Sequence, residues 1–171
     1  MIPGRDWSDD LGALRAFAVA VVRDDAHVRD DSSAAALADK LLRQATFAML
    51  ARPSGAGWTA KTRAFANFVS LHRRQVRRRA RDEEDCGFPP PRTVGRAATI
   101  AQTVRALPLE LREALLIVVL AGFSHADAAQ TLEISMPQLL ERLRAARERL
   151  VEAVGRPGAA WRRASHLRVV K

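Results

Sequence analysis

At 171 residues, with 48% hydrophobic and 27% charged residues, the chain is long enough to bury a core, and its composition excludes collagen-like, disordered and disulfide-stapled classes. Aromatic residues make up only 5% and Tyr is absent, while Ala, Leu and Arg dominate, a balance that favours helices over strands and predicts an all-α protein. The net charge of +9 is concentrated in residues 61–81, with eight basic and no acidic residues, and in residues 151–171, with five basic and one acidic. Such patches attract phosphate backbones, because neutralising phosphates releases condensed counterions.

Cys86 is the single cysteine, so neither an internal disulfide nor a cysteine-based zinc site can form, and a reducing cytoplasm suits the chain. His27, His72, His125 and His166 lack ligand spacing, and no metal or cofactor is expected. The longest apolar run, 114–121, is too short to cross a bilayer, and the acidic start with Asp6, Asp9 and Asp10 differs from a signal peptide; the reading is neither secreted nor membrane-spanning. No paired carboxylates, glycine-rich phosphate loop or nucleophile with its base can be read, so an enzyme is not expected.

In chain order, Leu11, Leu14, Phe17, Ala18, Val21 and Val22 repeat at helical spacing behind Ser8, Asp9 and Asp10, predicting a first helix that ends near Asp24. A second helix is predicted over 34–51 behind the candidate cap Ser33, with Leu37, Leu41, Ala45, Ala48 and Met49 on one face. A third runs over 60–81 behind Thr59 and buries Phe65, Phe68, Val69, His72 and Val76; Trp58 packs against it, and His72 reads as a core histidine. Within it Arg73, Arg74, Arg77, Arg78, Arg79 and Arg81 fall in nine residues, a density of like charge that points to nucleic acid. Residues 82–92, with Asp82, Glu83, Glu84 and Asp85 followed by Gly87 and Pro89, Pro90 and Pro91, read as a linker between two small helical domains, 1–81 and 93–155, ahead of a basic tail over 156–171.

After the linker, Val94, Ala97, Ile100, Ala101 and Val104 predict a short amphipathic helix. Pro108 then opens an apolar one with Leu111, Leu115, Val118 and Val119 facing in and Gly122 as its stop. Ser124 with Asp127, and Ser135 with Gln138, approximate two capping boxes eleven residues apart, so helices start near His125 and Met136 around a tight turn at 132–134. This is helix-turn-helix spacing. Leu139, Leu143, Ala146 and Leu150 form the inner face of the second helix, which leaves Gln138, Arg142, Arg144, Arg147 and Arg149 among the residues available to solvent or DNA.

Residues 106–150 resemble the C-terminal domain (region 4) of the extracytoplasmic-function sigma factors, on the marks Leu-Pro-x-x-x-Arg-Glu-Ala-Leu at 107–115, Gly-Phe-Ser at 122–124, Ala-Ala at 128–129 and Arg-x-Arg-x-Ala-Arg-x-Arg-Leu at 142–150. More loosely, residues 14–18, 38–43 and 62–65 are similar to region 2, in the manner of the alphaproteobacterial general-stress subgroup. The resemblance implies a region 2 that binds core RNA polymerase through Asp39, Leu42 and Arg43 and contacts promoter DNA through Arg73, Arg74, Arg77, Arg78 and Arg79. It also implies a region 4 that reads DNA through Gln138, Arg142, Arg144 and Arg147, and an anti-sigma factor as a further partner. Departures from the family pattern are Asp30-Asp31 followed by Ser-Ser-Ala-Ala-Ala, Phe65-Ala66-Asn67 in place of Trp-Leu-Phe, Glu133 in place of the turn glycine, Pro137, and Leu140-Glu141. They leave open a second class, a sigma-factor mimic that engages an anti-sigma factor or competes for polymerase without initiating.

Overall fold

The computed structural model describes residues 7–23, 30–51, 58–86 and 100–154, and among these it contains seven α-helices and no strand. They are α1 (Trp7–Val22), α2 (Asp31–Ala51), α3 (Ala60–Cys86), α4 (Ile100–Ala106), α5 (Leu109–Val119), α6 (His125–Leu132) and α7 (Met136–Val154). The fold is all-α. Val94, Ala97, most of the expected linker and the basic tail lie outside the described residues.

The N-terminal helices follow their apolar spacing. Phe17, Ala18, Val21 and Val22 of α1 are fully buried and Leu14 nearly so, but Leu11 is 57% exposed, because the buried stripe begins only one turn further on. Helix α2 starts earlier than Ser33 suggests. Its cap is Asp30, whose carboxylate accepts the Ser33 backbone N–H at 2.7 Å, and this bond holds the Asp30 carboxyl below its ordinary pKa. Thr59 caps α3 as expected: its hydroxyl accepts the Thr62 N–H at 3.1 Å and lies 2.8 Å from the Thr62 hydroxyl. Helix α3 continues to Cys86, past the expected end at Arg81. The sequence spacing Arg78/Asp82, Arg79/Glu83 and Arg81/Asp85 puts opposite charges one turn apart, which favours continuation.

In the C-terminal helices, Pro108 precedes α5, and its carbonyl accepts the N–H groups of Leu111 and Arg112, both at 3.0 Å. Helix α5 does not bury the face its aliphatic residues suggest. Val119 is 73% exposed, Leu111, Leu115 and Val118 are half-buried, and the buried positions are Arg112, Glu113, Ala114 and Ile117. Two charged residues among the buried positions disguise the periodicity. Gly122 ends the helix at φ +66°, where the Phe123 N–H reaches back to the Ile117 carbonyl at 3.2 Å.

That turn aims Phe123 inward, and it is through Phe123 that the two groups of helices meet. Its ring lies 4.8 Å from Phe65 of α3 in a T-shaped contact, and Phe65 in turn lies 5.3 Å from Phe17 of α1. One continuous core runs from Leu14 through Phe68 to Ile117, Leu132 and Leu139, with α1 packed on α5 and α3 on α6. His72 is fully buried in it, stacked on Phe68 at 6.0 Å, as a core histidine should be. Lys61 fastens the same seam. Its ammonium pairs with Asp10 of α1 at 3.2 Å and lies 4.9 Å from the centre of the Phe123 ring.

Candidate nucleic-acid interface

The arginines of α3 divide by their position on the helix. Arg73 faces α5 and α6: its Nε and Nη2 donate to Glu113 Oε2 at 2.9 and 2.7 Å, and its Nη1 donates to the Leu132 carbonyl at 3.4 Å. Glu113 has no exposed side-chain surface, so the pair is a bridge between the two groups of helices. Arg74, Arg77 and Arg78 are exposed, and no ion pair among the described residues engages them. Arg79 is half-buried. The sequence presents one run of arginines; the fold makes one of them an internal tie, half-buries Arg79 and leaves Arg74, Arg77, Arg78 and Arg81 exposed to anions.

Two grooves flank this row. One, of about 130 Å³, is lined by Ser70, Arg73, Arg74, Arg77, Thr131 and Glu133, and the other, of about 470 Å³, by Met49, Trp58, Arg63, Leu71, Arg74 and Glu133 among others. The first lies where α3 meets the turn between α6 and α7; the second runs between α2 and α3 and reaches that turn at Glu133. Guanidiniums line each groove, with Glu133 as the acidic residue in both. Among the described residues no group of His, Cys, Asp or Glu is placed to hold a metal ion.

The turn itself is built by caps. Ser124 accepts the Asp127 N–H at 3.1 Å and donates its hydroxyl to the Asp127 carboxylate at 2.7 Å, starting α6. Glu133 ends α6 in the left-handed region at φ 56°, its N–H bonded to the Gln130 carbonyl at 3.1 Å. Gln138 then closes the second box, its Oε1 accepting the Ser135 N–H at 3.0 Å, so only three residues separate α6 from α7. Pro137 lies in the first turn of α7, where its missing N–H is one the helix cannot use.

A solved structure with this arrangement is that of the sigma factor RpoE from Bartonella quintana, in complex with the anti-sigma factor NepR. It matches at a TM-score of 0.67 and 23% identity, over 90% of this chain and 99% of that one. The chain has a sigma-factor fold. Neither a scan against protein-family models nor a search of curated proteins finds a match.

The segments that the sequence resemblance assigns to region 2 fall on α1–α3, and those it assigns to region 4 on α5–α7. The residues expected to read DNA from α7 are placed unequally. Gln138 is committed to its cap, Arg142 reaches Glu110 of α5 at 3.9 Å, and Arg144 pairs with Glu148 at 2.9 Å, which raises its already high pKa. Arg147 is exposed with no ion pair among the described residues. On α2, Asp39 is held by Arg15 of α1 through two bonds of 3.0 and 3.2 Å, which lower its pKa, Leu42 packs half-buried against the core, and Arg43 is exposed. Sequence reading missed the internal role of Arg73. The signal was available in Glu113, an acid at the edge of the apolar run 114–121.

Proposed function

We propose that this protein is an RNA polymerase sigma factor of the extracytoplasmic-function kind, acting in the cytoplasm, which directs core polymerase to stress-type promoters and is held by an anti-sigma factor. The observation that carries the reading is the set of exposed guanidiniums Arg74, Arg77 and Arg78, which form no ion pair among the described residues, beside a capped helix-turn-helix on a sigma-factor fold. Arginine forks match phosphate oxygens, and such contacts position a protein on DNA. Base reading falls to α7, with Arg147 as its readiest side chain, and core binding to the α2 face that bears Arg43 beside Asp39 and Leu42.

The test is reconstituted transcription with core polymerase on a general-stress promoter. The triple variant Arg74→Ala, Arg77→Ala, Arg78→Ala abolishes initiation and weakens promoter binding tenfold or more, its salt slope falling by about 0.9 for each phosphate that is no longer neutralised. Association with core, followed by gel shift, stays intact in that variant and weakens in Arg43→Glu. A second reading is favoured by the engagement of Arg73, Arg142 and Arg144 in internal pairs. It is a sigma mimic that occupies an anti-sigma factor or polymerase without initiating, and core association without initiation in the unaltered protein would establish it.

A further inference from the structure

Arg73 offers Glu113 the same two-donor fork that an arginine offers a phosphate, with Nε and Nη2 on one oxygen at 2.9 and 2.7 Å. The carboxylate comes from α5, forty residues away, and stands at the buried end of the arginine row. Towards solvent the next acidic group on this seam is Glu133. It lines both grooves with Arg74, and it is the one non-glycine among the described residues with positive φ. An L-residue in that backbone region is strained, and glycine would relieve the strain. What Glu133 supplies and glycine cannot is a negative charge in the grooves that the exposed guanidiniums of α3 line.

We propose that the C-terminal helices place carboxylates where nucleic-acid phosphates would sit on α3, so that closed packing and nucleic-acid binding compete for the same arginines, with Glu133 setting the balance. The inference rests on the proposed contact between α3 and DNA. Glu113 holds Arg73 when the helices are packed together. Glu133 screens Arg74 and Arg77 across the groove they share and opposes an approaching phosphate, because like charges repel at short range. Binding of a duplex then requires both carboxylates to be left behind, and removing the exposed one makes that exchange easier.

The experiment measures binding of the full chain to a fluorescent promoter duplex across a salt series, comparing the unaltered protein with Glu133→Gln and Glu133→Gly. Glu133→Gln keeps the backbone strain and removes the charge, whereas Glu133→Gly removes both. Both variants are expected to bind several-fold more tightly, with a salt slope steeper by about 0.9, as one more phosphate is neutralised. Unchanged affinity and slope in Glu133→Gln, while the unaltered protein binds DNA through Arg77 and Arg78, overturns the inference and leaves the function standing. Tightening in Glu133→Gly alone also overturns it, since the effect then belongs to the backbone. Absence of DNA binding by all three proteins overturns the inference, since removal of the Glu133 charge then opens nothing; binding indifferent to Arg77→Ala and Arg78→Ala overturns the proposed function and the inference with it.

Discussion

Glu113 is the residue through which α5 is tied to α3. Its side chain has no exposed surface, one oxygen takes two bonds from Arg73, and the other accepts no hydrogen bond from a described residue. Breaking a buried pair leaves the remaining charge uncompensated, so Glu113→Ala should cost about 3 kcal/mol in chemical denaturation. Glu133→Gly should act in the opposite direction, raising stability by about 1 kcal/mol by relieving the positive φ. The aspartates give a pH signature. Asp30 and Asp39 both titrate below their ordinary value, through the Ser33 N–H and the Arg15 guanidinium respectively. Their contribution is therefore complete above the unfolded aspartate pKa of about 3.9 and is lost as pH falls through the lower folded values. Melts between neutral pH and strong acid should show Asp39→Asn losing its difference from the unaltered protein only in that acidic window. The effect is small, since both groups are open to solvent.

At the scale of elements, the local signals were legible where a side chain and a backbone N–H three residues on make the structure by themselves. Thr59, Ser124 and the Ser135–Gln138 box start helices where the spacing places them, and Gly122 ends one by the positive φ that glycine tolerates. Ser124→Ala should cost about 1 kcal/mol by melting the first turn of α6, seen in thermal denaturation and in faster amide exchange at Asp127. The errors arose where tertiary partners decide. Ser33 yields the cap of α2 to Asp30, which binds its N–H, and α5 turns an acid inward because Arg73 waits for it on another helix. No window of sequence contains both members of that pair. For the same reason the arginine run was legible as a basic surface, while its division into one tie and four exposed groups was not.

For the whole molecule, the packing of α1–α3 on α4–α7 sets what the protein can do without help. On the proposed DNA contact, a duplex that takes Arg73 must separate it from Glu113, which would couple DNA affinity and compactness in opposite directions. Small-angle scattering at low and high salt should show expansion on duplex binding, and a smaller change for an Arg73→Lys variant, whose single ammonium cannot reproduce the fork. Phe123→Ala should destabilise the whole by about 3 kcal/mol, because the ring is shared by both sides of the seam.

That aromatic file, Phe68 to Phe17 to Phe65 to Phe123, also fixes how the chain comes apart. A helical protein with two private cores would unfold in two steps, and each piece would survive a cut between them. Here Phe65 and Phe123 each lean on the other side of the seam. Calorimetry should give a single cooperative transition with matching calorimetric and van't Hoff enthalpies. A nick within 87–99 should release two fragments that each expose an aromatic patch and recombine with one another sooner than stay apart.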